Sequence, residues 1–208
     1  MSLFTGRDLT CIRGERRVFA DLGFSLAAGG ALLLTGPNGS GKSSLLRLMA
    51  GLGRPAQGAL FWNDEDIAQD AETHNARLHY VGHGDAVKPA LTASENVAFW
   101  AAVRGGGDPG AGLAAFGAER LGSVPGRFLS AGQRRRVNLA RLIATPAPLW
   151  ILDEPATALD REAVVRLQEA IARHRGGGGL VALSTHGGIE IPDATILDLA
   201  PFTESAAA

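Results

Sequence analysis

Ala31-Leu32-Leu33-Leu34-Thr35-Gly36-Pro37-Asn38-Gly39-Ser40-Gly41-Lys42-Ser43 is the stretch that decides how this chain folds. Its first five residues are a continuous apolar run, the pattern of a buried strand. A glycine loop follows, and then a helical pattern from about Lys42 to Ala50 that Gly51 stops. Gly36 to Ser43 matches G-x-x-x-x-G-K-[ST] at every specified position, with the strand before it and the helix after it that the mechanism needs. Glycines let the backbone curl so that consecutive N–H groups point at phosphate oxygens. The helix N-terminus adds partial positive charge. Lys42 is placed to reach β/γ-phosphates, and the Ser43 hydroxyl to bind Mg²⁺.

Outward from this segment, short strands are predicted at Leu3 to Ile12 and Val18 to Leu26, with turns at Gly14 and Gly29-Gly30. More are predicted at Gly58 to Trp62, Leu78 to Val81, Leu149 to Leu152, Leu180 to Ser184 and Thr195 to Leu199. From about Leu91 to Arg141 the texture is helical, which predicts an inserted helical subdomain over approximately residues 88–147. Helix and strand alternating around buried strands imply an α/β fold with a largely parallel sheet. The tail from Thr203 to Ala208 is expected to fray.

Length and composition suit one domain of ordinary to large size, or two small ones. The 208 residues are 46% hydrophobic and 20% charged with net charge -1, enough for a sizeable core and too apolar for a disordered chain. The apolar runs, such as Val97 to Val103, fall far short of the ~20 residues of a spanning helix. The first residues lack a signal-peptide pattern. A single cysteine, Cys11, excludes an intramolecular disulfide, fits a reducing cytoplasm and reads as a buried small hydrophobe. Near-neutral charge argues against a large nucleic-acid footprint. Glycine is abundant at 28 of 208 residues, against an average near 7%. Of 20 basic residues only Lys42 and Lys88 are lysines, so the chain favours arginine and glycine generally. Lysine at 42 has a reason, since the loop needs a compact charge and arginine is a planar fork. Gly105 to Gly107 and Gly176 to Gly179 sit in predicted loops and read as compositional drift.

Two further stretches carry chemistry. Leu149-Trp150-Ile151-Leu152-Asp153-Glu154 is an apolar strand ending in two carboxylates. Asp153 would emerge at the carboxyl edge of the sheet, where open α/β sheets bind ligands, and as a hard oxygen donor it suits Mg²⁺. Glu154 is then placed to orient or deprotonate an attacking water. Leu129-Ser130-Ala131-Gly132-Gln133 opens a helix with Ser130 as a good N-cap; on local chemistry this reads first as a plain capped helix, and the alternative is a second phosphate-binding helix terminus. One nucleotide does not readily need both, so in that alternative the second serves a nucleotide held by another subunit.

The Ser130 segment resembles the LSGGQ signature of ABC-type ATPases, with Ala131 in place of one glycine. Ala158-Leu159-Asp160 resembles the D-loop of that family, and Ser184-Thr185-His186 its switch-histidine segment. The resemblance covers nearly the whole chain, with five motifs in family order. It implies a P-loop NTPase of ABC type, with a RecA-like core, an N-terminal antiparallel β subdomain and the helical insertion, in one domain over residues 1–208. It implies ATP and Mg²⁺ as ligands and a dimer with two ATPs sandwiched. The phosphate loop of one subunit, extended to Ser44, would face Ser130, Ala131, Gly132 and Gln133 of the other. His186 would contact the γ-phosphate and Asp160 would couple the two sites.

Departures narrow the resemblance. Tyr80-Val81-Gly82-His83-Gly84 occupies the Q-loop, where a glutamine normally touches Mg²⁺; His83 stands there instead, and histidine suits that ion poorly, so a contact would run through water. An adenine-stacking aromatic is missing near Ile12 and Arg13, and the Arg13 guanidinium could stack in its place. Gly82-His83-Gly84, Lys88 to Thr92, Glu95-Asn96 and Phe99-Trp100 are similar to the haem-exporter ATPases of cytochrome c maturation, which typically carry Gly-His-Gln where this chain has Gly84 last. That likeness implies an integral membrane partner of the same system, a second copy of this chain, no nucleic acid, and a place on the cytoplasmic face of the inner membrane. An ABC transporter for another cargo and a soluble ABC-type ATPase acting on nucleic acid or ribosomes are the competing readings. Arg134-Arg135-Arg136 reads as a solvated face, and Phe99 and Trp100 as helical core. His74, His79 and His174 show no ligand spacing.

Overall fold

The structure, a computed structural model, describes residues 2–203; of the tail expected to fray, 204–208 lie outside the described residues. The chain opens with β1 (Leu3–Arg13), β2 (Arg16–Ala27) and β3 (Ala31–Thr35), followed by α1 (Lys42–Met49). Next come β4 (Gln57–Trp62), β5 (Glu65–Asp66), α2 (Ala71–Ala76) and β6 (Leu78–Val81). Three helices, α3 (Ala93–Val103), α4 (Pro109–Ala115) and α5 (Ala131–Ala144), fill the chain before β7 (Leu149–Asp153). Then follow α6 (Arg161–Gly176), β8 (Leu180–Ser184) and β9 (Thr195–Asp198). The short β5 and α2 lie between Trp62 and Leu78, where the sequence pattern predicts no element.

Two sheets result. The antiparallel sheet has order β2-β1-β4-β5, and the parallel sheet has order β6-β7-β8-β3-β9. Every pairing in the second is parallel, as the continuous apolar runs imply. Alternation along its strands sorts the side chains into two cores. Leu32, Leu34, Leu149, Ile151, Leu180 and Ala182 face the antiparallel sheet and α1. Ala31, Trp150, Leu152, Val181 and Leu183 face α3 to α6. All five residues of β7, and all five of β8, are buried, so these strands have no solvent face.

Close packing on the helical side explains glycines that composition alone presents as drift. A Cβ on Gly107 would lie 2.2 Å from the Ala144 carbonyl oxygen, and one on Gly179 would lie 2.2 Å from the His174 ring, which stacks on Trp150 at 4.0 Å between centroids. Both glycines are therefore needed for close approach, and Gly176 belongs to α6 rather than to a loop. Phe99 and Trp100 are not core residues either. Phe99 is 38% exposed with the Lys88 ammonium 4.0 Å from its ring centroid, and the Arg141 guanidinium lies 4.7 Å over Trp100. Each ring carries a cation over one face, Phe99 exposed and Trp100 half-buried. The buried histidines serve the fold. His79 is 3% exposed, its Nε2 lies 2.9 Å from the Thr145 carbonyl, and burial pulls its pKa down to about 3.

Two outcomes check this packing. In α4, Gly112 would place a Cβ 2.5 Å from the Ala140 carbonyl oxygen of α5. Helix propensity alone makes Gly112→Ala stabilising by about 1 kcal/mol, whereas the backbone clash makes it destabilising by about 1–3 kcal/mol. The clash should win, and a urea midpoint below that of the parent chain checks it. His79 stays neutral when folded and takes up a proton when unfolded. Stability should therefore fall as pH drops from about 6.5 toward 3, by up to about 1.4 kcal/mol per pH unit from this residue. Denaturation at pH 7 and pH 5 measures the slope, and His79→Gln should flatten it.

Candidate functional site

The carboxyl ends of the parallel strands meet at one open cleft of about 610 Å³, lined among others by Asn38, Gly39, Gly41, Lys42, Ser43, Ser44, His83, Glu154 and His186. Four separated segments thus reach one place, because β3, β8, β7 and β6 end side by side. The loop after β3 turns through left-handed backbone at Gly36 (φ +126), Gly39 (φ +81) and Gly41 (φ +96). Side chains are excluded at Gly41 on two counts, since a Cβ there would also lie 2.6 Å from Val18. Lys42 is 7% exposed, and its ammonium donates to the Gly36 carbonyl (2.7 Å) and the Pro37 carbonyl (3.1 Å). An ammonium has three donors, so one is left for a further acceptor.

The ends of the helices set the site apart. Asp70, Thr92, Asp108, Ser130 and Asp160 cap α2, α3, α4, α5 and α6 with side-chain acceptors. At the N-terminus of α1 Gly41 offers no side-chain cap. Its first N–H groups have no intrahelical acceptor, and the helix dipole favours an anion there.

Opposite this terminus, Asp153 is 3% exposed at the end of β7. One of its oxygens, Oδ1, accepts from Ser43 Oγ at 3.0 Å and from Ser184 Oγ at 2.7 Å. Ser184 stands there because the β7–β8 register pairs Asp153 with Ser184. A carboxylate and a hydroxyl already in contact form a hard-oxygen donor set that fits Mg²⁺. Glu154 follows with φ +49, a left-handed conformation that costs a non-glycine residue about 1–3 kcal/mol. Its N–H donates to Ser184 Oγ at 3.1 Å, and its Oε2 accepts from the His186 N–H at 3.2 Å. The His186 ring lies 3.4 Å from the other carboxylate oxygen. The structure brings Asp153, Glu154 and His186 together, with Ser184 as the link between Asp153 and the Glu154 amide, a role that strand register sets and the residues alone do not show.

Other expected residues sit nearby in different roles. Ser130 and Gln133 close a capping box. Gln133 N–H donates to Ser130 Oγ at 3.2 Å, and Ser130 N–H donates to Gln133 Oε1 at 2.9 Å. Ala131 and Ser130 are exposed. Gly132 is fixed by proximity, since its Cβ would lie 2.6 Å from the Ala158 carbonyl, and Ala158 itself has φ +65. Asp160 accepts from Ala163 N–H at 2.8 Å as the cap of α6. His83 is exposed at the cleft wall. Arg13 is exposed at the end of β1 and does not line the cleft; it lies by Cys11, whose thiol burial pushes up and Arg13 and Ser44 pull back down. Arg135 corrects the reading of a solvated arginine face. It is 2% exposed, and its guanidinium donates to the carbonyls of Gly82, Asp153, Glu154 and Pro155 and to Asp85 Oδ1. Consecutive arginines look alike in a sequence, yet they point to three sides of a helix. The spacing Arg135, Asn138, Leu142 was the available signal for a buried face.

Comparison with known proteins agrees with this geometry. The ABC transporter family matches residues 19–157. The cytochrome c biogenesis ATP-binding export protein CcmA of Rhodospirillum rubrum is 59% identical over 97% of this chain and 87% of its own length. The protein of the same name from Paramagnetospirillum magneticum is 56% identical over 97% and 95%. Among solved structures, the ATP-binding subunit of an ABC transporter superposes with a TM-score of 0.81 at 28% identity, covering 88% of this chain and 79% of that one. A putative ABC transporter ATP-binding protein from Pyrococcus furiosus shares the fold with a TM-score of 0.82 at 20% identity over 97% and 99%. The chain belongs to the ATP-binding subunits of ABC transporters and is of the CcmA type.

Proposed function

We propose that this ATPase works in c-type cytochrome biogenesis, coupling ATP binding and hydrolysis to an integral membrane subunit of that system at the cytoplasmic face of the inner membrane. The observation that carries the phosphate site is the uncapped N-terminus of α1 beside a buried Lys42. The cytochrome role rests on the relatives named for it. None of the helices among the described residues is long and apolar enough to cross a membrane, which supports a separate membrane partner. In this reading residues 88–147, with α3, α4 and α5, act as a helical subdomain that meets the partner.

The residues divide the chemistry among them. Gly36 to Ser44 bind the triphosphate through backbone N–H groups, and Lys42 offsets charge on the transferred phosphoryl group. Ser43 and Asp153 would hold Mg²⁺, with His83 reaching it through water; when bound, the ion neutralises charge on the β- and γ-phosphate oxygens. Glu154 accepts a hydrogen bond from the attacking water and orients it, and His186 contacts the γ-phosphate. Ser130, Ala131, Gly132 and Gln133 face the nucleotide of a second copy, and Asp160 links the two sites. In this reading the Arg13 guanidinium, outside the cleft lining, stacks on the adenine in place of an aromatic ring.

Glu154→Gln should lower kcat by about 100-fold or more while leaving ATP affinity unchanged, because the amide keeps the shape and loses the charge. Size-exclusion chromatography with ATP should then find the variant as a dimer; normal turnover would sink the assignment to Glu154. Ser130→Arg should abolish hydrolysis with ATP binding to the monomer retained. The capping box adds an expectation of its own, a loss of about 1 kcal/mol of stability, or roughly 2–4 °C in Tm. Unchanged ATPase activity in Ser130→Arg would refute the shared-site arrangement.

A further inference from the structure

A guanidinium buried to 2% exposure is expensive to desolvate, and α5 holds one where an apolar side chain would pack at less cost. Asp85 neutralises Arg135 at 3.2 Å, and the remaining N–H groups go to backbone carbonyls. Those carbonyls are not scattered. Three belong to consecutive residues, Asp153, Glu154 and Pro155, which form the turn where Glu154 is held left-handed. The fourth, Gly82, lies with Asp85 in the loop after β6, which also carries His83 to the cleft.

The same face of α5 continues the connection. Asn138 Nδ2 lies 3.4 Å from Asp85 Oδ1, Arg141 donates to the Tyr80 carbonyl, and Thr145 meets His79. Three side chains of α5 and that of its C-cap, Thr145, thus fasten β6 and the loop 82–85 along their length. Arg135 sits at the end of this row and is the member that also grips the Glu154 turn. A planar fork with five donors can span both sets of acceptors at once.

We propose that Arg135 is a positioning residue for hydrolysis, fixing the Glu154 turn to α5 and to the loop 82–85 so that a displacement of that loop reaches the Glu154 carboxylate. This rests on the reading of Glu154 as the group that orients water. Arg135 touches no nucleotide in this arrangement and acts through Glu154.

The test uses the full chain with Arg135→Lys, Arg135→Gln, Asp85→Asn and the Asp85→Asn/Arg135→Lys pair. ATPase kinetics, ATP affinity by titration with a fluorescent ATP analogue, and Tm are measured for each. Both Arg135 variants should lose roughly 10- to 100-fold in kcat, the scale expected for a misplaced catalytic group, with ATP affinity within about twofold of the parent. Lysine should rescue little, because one ammonium cannot reach both sets of acceptors. Asp85→Asn should lose less, and the pair should be no slower than Arg135→Lys alone, since both changes act through one joint. Parent-like kcat in folded Arg135→Lys overturns the proposal. So does a loss of kcat matched by an equal loss of ATP affinity, which is what general loosening would give. Glu154→Gln assayed alongside keeps the two readings apart: if it turns over normally, the Glu154 assignment fails whatever the Arg135 variants do.

Discussion

The pairing of β7 with β8 that sets Asp153 opposite Ser184 is the constraint on which the site depends. A slip of one residue would turn every side chain of β7 to the other face. Leu149 and Ile151 would leave the core shared with α1, and Trp150 and Leu152 would leave the helical side. Both faces are buried, so both cores would be lost together. The hydrophobic pattern of ten strand residues therefore fixes the separation of one carboxylate and one hydroxyl to hydrogen-bonding distance. From that contact follow the Ser43 link to α1 and the hydrogen bond that holds the Glu154 amide.

Backbone conformation and charge burial converge on the turn after β7. Glu154 takes a left-handed φ, its amide is tied to Ser184, its carbonyl to Arg135, and its carboxylate to the His186 amide. Such a conformation persists only where surrounding contacts over-determine it. Each contact comes from a different element: β8, α5 and the segment after β8. The placement of one side chain is thus a property of the whole parallel sheet and its helical cover.

Legibility in the sequence followed the range of the interactions. The phosphate loop, its strand and the bounds of α1 were readable because glycine conformation, an apolar run and helical periodicity are local. The parallel sheet was readable from strands apolar on both faces. Ser184 as the link to Asp153 was not, since register is settled between strands far apart in the chain. Arg135 was hidden by its neighbours: three arginines in a row read as a charged surface, and the helical phase that buries the middle one depends on what packs against α5. Gly107 and Gly179 looked like background because nothing nearby in sequence announces the Ala144 carbonyl or the His174 ring. The capping box at Ser130 was within reach, since a serine followed three residues later by glutamine is its pattern.

The open end of α1 has a consequence for how substitutions in this chain sort. Helices α2 to α6 are anchored at their starts by a hydroxyl or carboxylate, whereas α1 is held by the Ser43–Asp153 hydrogen bond and by its buried flank, Leu45, Leu46, Leu48 and Met49. Those side chains lie in the core beneath the loop and do not line the cleft. A helix without a cap at its start leans on its buried side and shifts when that side is trimmed. A survey of variants scored for nucleotide retention would therefore gather Leu45 and Met49 with Lys42, and the map of the binding site drawn from such a survey would extend well below the surface that the nucleotide touches.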